Sequence, residues 1–83
     1  MVRVGDVSVA LAYVLITAES FDSKLVKDLK KIKGVMEAYP VYGVYDVVVK
    51  TYAETMDGLK ETHDRIRRME NVRQTLTMIA HEE

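Results

Sequence analysis

"YPVYGVYDVVVK", residues 39–50, decides the fold. Two runs suited to β-strands meet at a Tyr42-Gly43-Val44 corner, and an acid, Asp46, stands directly before Val47-Val48-Val49. A corner between two β-prone runs reads as a hairpin, so residues 35–41 and 44–53 are expected as neighbouring antiparallel strands. Pro40 places the first of them at a sheet edge, because proline has no N–H to donate to a second neighbour. Asp46 then needs a reason. A carboxylate at a strand entrance either accepts hydrogen bonds from local backbone or accepts from the ammonium or hydroxyl of a ligand. Gly43, without a Cβ, would let such a ligand approach the main chain closely.

Upstream, residues 7–18 are rich in Val, Ile and Tyr and apolar at successive positions, which reads as a long strand. Asp22 is a good N-cap for the helix that follows, and Phe21 can staple onto Val26. Leu25, Val26, Leu29 and Ile32 form one apolar stripe, and Gly34 is expected as the left-handed residue after the last turn. Downstream of the hairpin, Thr55 caps a second helix whose inner stripe reads Met56, Leu59, His63 and Ile66. Gly58 sits where a Glu would complete a capping box, which weakens this helix start by roughly 1 kcal/mol. Glu61–Arg65 and Asp64–Arg68 are i,i+4 pairs in the favourable direction. Asn71 is expected to end the helix, and residues 72–80 form a last strand.

The order is βαββαβ, and it repeats. A shift of 33 lays Tyr45-Asp46-Val47-Val48-Val49 on Ala12-Tyr13-Val14-Leu15-Ile16, and Thr55 on Asp22. The exits Ile32-Lys33-Gly34-Val35 and Met69-Glu70-Asn71-Val72 also match, with the second helix about a turn longer. Two βαβ halves with right-handed crossovers give an α+β, ferredoxin-like sandwich, strand order 4-1-3-2, with both helices on one face. Counted by twos, Val7, Val9, Leu11, Tyr13 and Leu15 share one face of the first strand. Ala10, Ala12, Val14, Ile16 and Ala18 share the other. A sheet covered on one side should be polar on its free side. This one is not, so a second subunit is expected to cover it.

Length and composition agree. A chain of 83 residues is one domain, and a domain this small buries only about 60–65% of its unfolded surface. It has no cysteine, so neither disulfides nor thiolate chemistry are available. Its 12 basic and 13 acidic residues are interspersed, giving a net charge of −1, which does not suit binding to nucleic acid by a basic surface. There is no apolar run near the ~20 residues that span a bilayer and no export-signal pattern, so a cytoplasmic protein without membrane attachment is expected.

Thr75 and Thr77 share a face of the last strand with Arg73 and Ile79. Alternating threonine is ordinary in a half-buried strand, but two hydroxyls also suit orientation of a small polar ligand. In the 4-1-3-2 order they lie about 10 Å from the strand of Asp46, so a site using all three would need a subunit junction. His63, on an apolar stripe, reads as a packed core or interface histidine. With His81 as the second imidazole, no metal constellation forms, and no phosphate loop or nucleophile–base motif appears. No catalytic residue or cofactor is assigned. Lys24, Lys27, Lys30, Lys31 and Lys33 make the first helix basic, which reads as a solvated face or a weak contact for an acidic partner. Tyr39, Tyr42 and Tyr45 read as strand and interface packing, since the basic pattern that accompanies base-stacking aromatics is missing.

"VYGVYDVVVK", with Gly43, Tyr45 and Asp46 as G-x-Y-D before an apolar run, resembles the effector domain of the Lrp/AsnC family of feast/famine regulators. "AYVLITA", "KIKGV" and "RRMENVRQTLTMIA" follow the same pattern, and the resemblance runs from about Val7 to His81. It implies sheet-to-sheet homodimers that assemble into rings, often octamers, with amino-acid effectors between dimers. It also implies ligand contacts at Gly43, Val44, Tyr45 and Asp46 and at Thr75 and Thr77, the ammonium group facing Asp46. Family members usually carry an N-terminal DNA-binding domain. Here the effector domain starts within the first few residues, so a stand-alone, non-enzymatic sensor is expected. It would not contact DNA itself and would act through its own assembly or through full-length relatives. The alternatives are a small dimeric α/β-barrel enzyme, of monooxygenase or isomerase type, using His63 and Tyr13, and a ligand-free interaction module.

Overall fold

A computed structural model describes residues 10–20 and 22–80 and follows the expected order: β1 (Ala10–Ala18), α1 (Ser23–Lys30), β2 (Val35–Pro40), β3 (Val47–Ala53), α2 (Met56–Arg67) and β4 (Val72–Ile79). The strands form one antiparallel sheet in the order β2-β3-β1-β4, which is the 4-1-3-2 arrangement read from its other edge. Residues 7–9 of the expected first strand, the Phe21 staple and His81 lie outside the described residues.

Both helices cover one face. Val14, Ile16, Val47, Val49 and Ala38 from the sheet pack with Leu25, Val26 and Leu29 of α1 and Ile66 of α2 in one buried cluster. Ile16, Leu29, Leu59 and Ile66 are almost wholly buried, each contributing about 1.5–3 kcal/mol by leaving water. Asp22 caps α1 by accepting from the Leu25 N–H at 3.1 Å, and Thr55 caps α2 by accepting from the Gly58 N–H at 3.0 Å. α2 has 12 residues against 8 in α1, the extra turn that the internal repeat implies.

Strand register sorts the other face into rows. Tyr39, Val48, Leu15 and Leu76 are successive cross-strand partners, and so are Glu37, Lys50, Tyr13 and Met78. These side chains point away from the helices. Tyr13, Tyr39, Leu76 and Met78 are exposed there, so the free face is apolar over β1 and β4. Charge on it includes Lys50 of β3 and Glu37 of the edge strand β2, which approach to 3.9 Å, and the Tyr39 hydroxyl donates to Glu37 at 2.9 Å. That carboxylate acceptor holds the Tyr39 pKa above its ordinary value.

Several local expectations change. The hairpin is not a tight corner: β3 begins at Val47, and residues 41–46 form a loop closed by the Val41 N–H donating to the Asp46 carbonyl at 2.9 Å. Strand pairing ends at Pro40–Val47, and the Val41–Asp46 bond just beyond it closes the loop. Gly34 has φ 99°, but the C-cap of α1 is Lys31. The glycine belongs to a separate turn in which the Val35 N–H donates to the Ile32 carbonyl at 3.1 Å. The equivalent turn after α2 joins the Val72 N–H to the Met69 carbonyl, also at 3.1 Å. Asn71 sits in it without a positive φ. Thr62, rather than Met56, joins Leu59 and Ile66 as a buried residue of α2, while Met56 is exposed at the helix start. Asp64 pairs with Arg67 at 2.8 Å rather than with Arg68, and Glu61–Arg65 forms at 3.5 Å.

Candidate functional site

Asp46 is half-buried just ahead of β3, and its backbone N–H donates to the Ile16 carbonyl at 2.8 Å. Its carboxylate Oδ2 accepts from the Ala18 N–H at 2.8 Å. Ile16–Val47 is the last β1–β3 pair, so the side chain supplies the acceptor that one more residue of β3 would have supplied. Oδ1 has no protein donor among the described residues. Asp46 thus accepts from backbone, but from the neighbouring strand 28 residues away rather than from the expected local chain. Beside it the loop projects freely: Tyr42 and Val44 are exposed, Tyr45 is half-buried, and Gly43 has φ 128° with nothing near the place a Cβ would occupy.

Thr75 and Thr77 stand elsewhere. Ile16 pairs with both Val47 and Thr75, and Val14 with both Val49 and Thr77. These rows belong to the helix-covered face, so both threonines share the side of Val14 and Ile16, with β1 between them and β3. One chain does not bring them to Asp46. The row at the Asp46 end of the free face instead continues from Thr17 to Gln74.

His63 is engaged. The Thr51 hydroxyl, wholly buried, donates to the Ala12 carbonyl at 3.1 Å and lies 3.2 Å from His63 Nε2. The hydroxyl has one proton, so with that proton on the Ala12 carbonyl the second bond takes its proton from Nε2. Burial first, and the Arg67 charge second, hold the His63 pKa below its ordinary value, opposed by Asp64. Tyr13 lies on the other face of the sheet, so the two residues considered for an enzyme are not brought together.

Sequence reasoning missed two features. Asn71 clasps Ser20: its Oδ1 accepts from the Ser20 N–H at 3.0 Å and its Nδ2 donates to the Ser20 carbonyl, while the Asn71 carbonyl accepts from the Glu19 N–H at 2.8 Å. Nothing local signals a contact 51 residues away. A cleft of about 600 Å³ also opens between α2 and the turn before β2, at the opposite end of β3 from Asp46. Its signal was the pair Gly34 and Gly58, both of which line it. Lys24 and Lys31 flank Asp28 at 2.9 and 3.9 Å in a solvated network on α1. Among the described residues, no cluster of His, Asp and Glu is placed to hold a metal, and no helix is long and apolar enough to cross a membrane.

The profile of the Lrp/AsnC ligand binding domain matches residues 11–83, from the second residue of β1 to the end of the chain. The chain belongs to the Lrp/AsnC ligand-binding domain family. This Lrp/AsnC domain is similar to the solved structure of FFRP-DM1, 32% identical with a TM-score of 0.79, over 87% of this chain and 99% of that one. It is also similar to the hypothetical protein PHS023 from Pyrococcus horikoshii, 33% identical with a TM-score of 0.71, over 89% of this chain and 92% of the other. A feast or famine regulatory protein from M. tuberculosis, solved in complex with L-methionine, is 26% identical with a TM-score of 0.74. There the similarity spans 89% of this Lrp/AsnC domain but 51% of the M. tuberculosis chain. No curated protein matches.

Proposed function

We propose that this Lrp/AsnC domain is a regulatory, non-enzymatic sensor of an amino acid that acts through the assembly of its own copies. The observation that carries the reading is the free sheet face. Leu76, Leu15 and Val48 run across it in one row, with Met78 and Tyr13 beside them. A monomer would leave this surface in water, and a contiguous apolar patch of that kind marks an interaction surface. A second copy laid face to face would cover it, with the Glu37–Lys50 corner at the rim. Such dimers would then build a larger ring, in which Gly43, Val44, Tyr45 and Asp46 of one copy meet Thr75 and Thr77 of another. The uncommitted oxygen of Asp46 would take the effector's ammonium group and the two hydroxyls its carboxylate end. Ligand-dependent assembly, alone or with full-length regulators of the family, would be the output, because a ligand shifts an equilibrium only by binding its two states differently.

The M. tuberculosis relative bound to L-methionine supports an amino acid as the class of effector. The test is the melting temperature of the purified chain, at fixed protein concentration, against the twenty standard amino acids, with mass by light scattering in parallel. A ligand at a hundred times its Kd adds about 2.7 kcal/mol per site, a rise of several degrees or more for a domain this size. A selective rise accompanied by a change in mass is expected. A monomer that no amino acid stabilises would overturn the reading.

A further inference from the structure

We propose that Met78 is an oxidation site through which a peroxide controls the self-association of this chain. The proposal rests on the assembly reading above and goes beyond it, naming a covalent change that acts on the free sheet face without touching the core.

The chain has no cysteine, so its softest groups toward a peroxide are its five methionine thioethers. Four of them, Met36, Met56, Met69 and Met78, lie among the described residues, and their surroundings differ. Met69 packs against the core cluster. Met36 stands at the β2–β3 register shift and Met56 at the first position of α2, 56% and 51% exposed. Neither belongs to the cross-strand rows of the free face. Met78 does. It is the partner of Tyr13 in the row that continues to Lys50 and Glu37, and it follows Leu76 by two residues along β4. It is 47% exposed, so a small oxidant can reach it in the monomer. β4 is also an outer strand of the described sheet, which puts Met78 towards the margin of the face.

The chemistry is a two-electron oxygen transfer. A lone pair of Met78 Sδ attacks one peroxide oxygen, the S–O bond forms and the O–O bond breaks. The departing hydroxide takes the proton left on the transferred oxygen and leaves as water. The thioether is oxidised to the sulfoxide and the peroxide is reduced. A flexible apolar side chain thereby becomes a polar one. In the separate monomer water meets the new oxygen, so the fold bears little cost. Under a second copy that water is lost, and Leu76 and Leu15 beside it on the face have no donor to offer. Burying an unpartnered polar group is unfavourable, and a symmetric face-to-face dimer meets the penalty twice. Oxidation therefore favours the monomer. Thiol-dependent reductases return a sulfoxide to the thioether, so the change is reversible, as a switch requires.

The test treats the intact chain with graded hydrogen peroxide and locates each added oxygen by peptide mass spectrometry. Sedimentation gives the dissociation constant of the assembly, with far-UV circular dichroism in parallel. Oxidation at Met78 should weaken self-association about tenfold or more, leave the dichroism unchanged, and be undone by methionine sulfoxide reductases with dithiothreitol. Met78→Leu should associate like the parent and continue to do so after the same treatment. Met36→Leu and Met56→Leu should stay as sensitive as the parent. Oxidised Met78 with undiminished association, or Met78 left intact while Met36 and Met56 react, would overturn the switch and leave the assembly reading standing. Equal sensitivity in Met78→Leu would overturn it by moving the effect to another methionine. Dichroism lost in step with association would overturn it by tracing the effect to the core. A chain that is monomeric before any oxidant is added would overturn both readings.

Discussion

Gly34 and Thr62 meet with no room between them: a methyl group at position 34 would collide with the Thr62 hydroxyl, which the Lys33 and Gly58 carbonyls hold in place. This contact pins the turn between α1 and β2 to the middle of α2. It also gives Gly34 two separate reasons to be glycine, because its φ of 99° is strained for any L side chain.

Gly34→Ala should therefore lower stability by about 2–4 kcal/mol, combining backbone strain with overpacking. Thermal unfolding should fall by 10 °C or more. Adding Thr62→Ala removes the collision but not the strain, so the double variant should recover part of the loss. Full recovery would show that the backbone conformation is not a constraint.

Asp46 has one oxygen on the Ala18 N–H and one without a donor among the described residues, so two substitutions separate its duties. Asp46→Asn keeps an acceptor for Ala18 and should melt within a few degrees of the parent. Asp46→Ala leaves that N–H unanswered at a cost of about 1–2 kcal/mol. Both should lose the amino-acid-induced rise in Tm, since neither keeps a charge for an ammonium. An Asn variant that retains the rise would limit Asp46 to holding strands together.

His63 gives a pH dependence whose sign can be worked out. Its folded pKa lies below the ordinary value of 6.5, with burial as the leading cause and Arg67 second. Between the two values the unfolded chain binds the extra proton and the folded chain does not, so stability falls with falling pH in that window. The contribution is fully present above about 6.5 and is lost as pH drops through the folded value. Tm should decline on acidification from pH 7.5, and His63→Gln should flatten the decline. Imidazole nitrogen shifts at neutral pH should report the proton on Nε2.

The free face can be broken without touching the core. Leu15 is half-buried in the monomer and points away from the helices. Leu15→Lys should weaken self-association about a hundredfold or more by placing a charge against an apolar partner. Circular dichroism of the monomer should stay close to that of the parent. Unchanged mass by light scattering would remove this face as the interface.

How much of this was legible depended on the range of each interaction. Element order, the one-turn difference between helices and the division of β1 into two faces follow from periodicity, and periodicity is local. Asp46 to Ala18 spans 28 residues and Asn71 to Ser20 spans 51, so no window along the chain contains either pair. The burial of Thr62 in place of Met56 was hidden in the same way. Thr62 packs against Gly34, a residue of the other half whose bare Cα leaves room for it, and no local pattern announces that contact. Asp64 chose Arg67 over Arg68 within one helix turn, a preference that spacing rules do not resolve.

β1 is the first described strand of the chain, yet both its neighbours, β3 and β4, come from the second half. The two similar halves are therefore interleaved, and neither can mature alone. While the protein is being synthesised, β1 must wait until residue 47 and beyond have emerged before it gains a first partner, and beyond residue 72 for its second. Until then its apolar residues have no sheet to enter, and loop closure must be achieved before any of these pairings is rewarded. The vulnerable species in the life of this molecule is thus its unfinished first half. Substitutions that hasten aggregation during expression should concentrate in β1, whatever their effect on the finished fold.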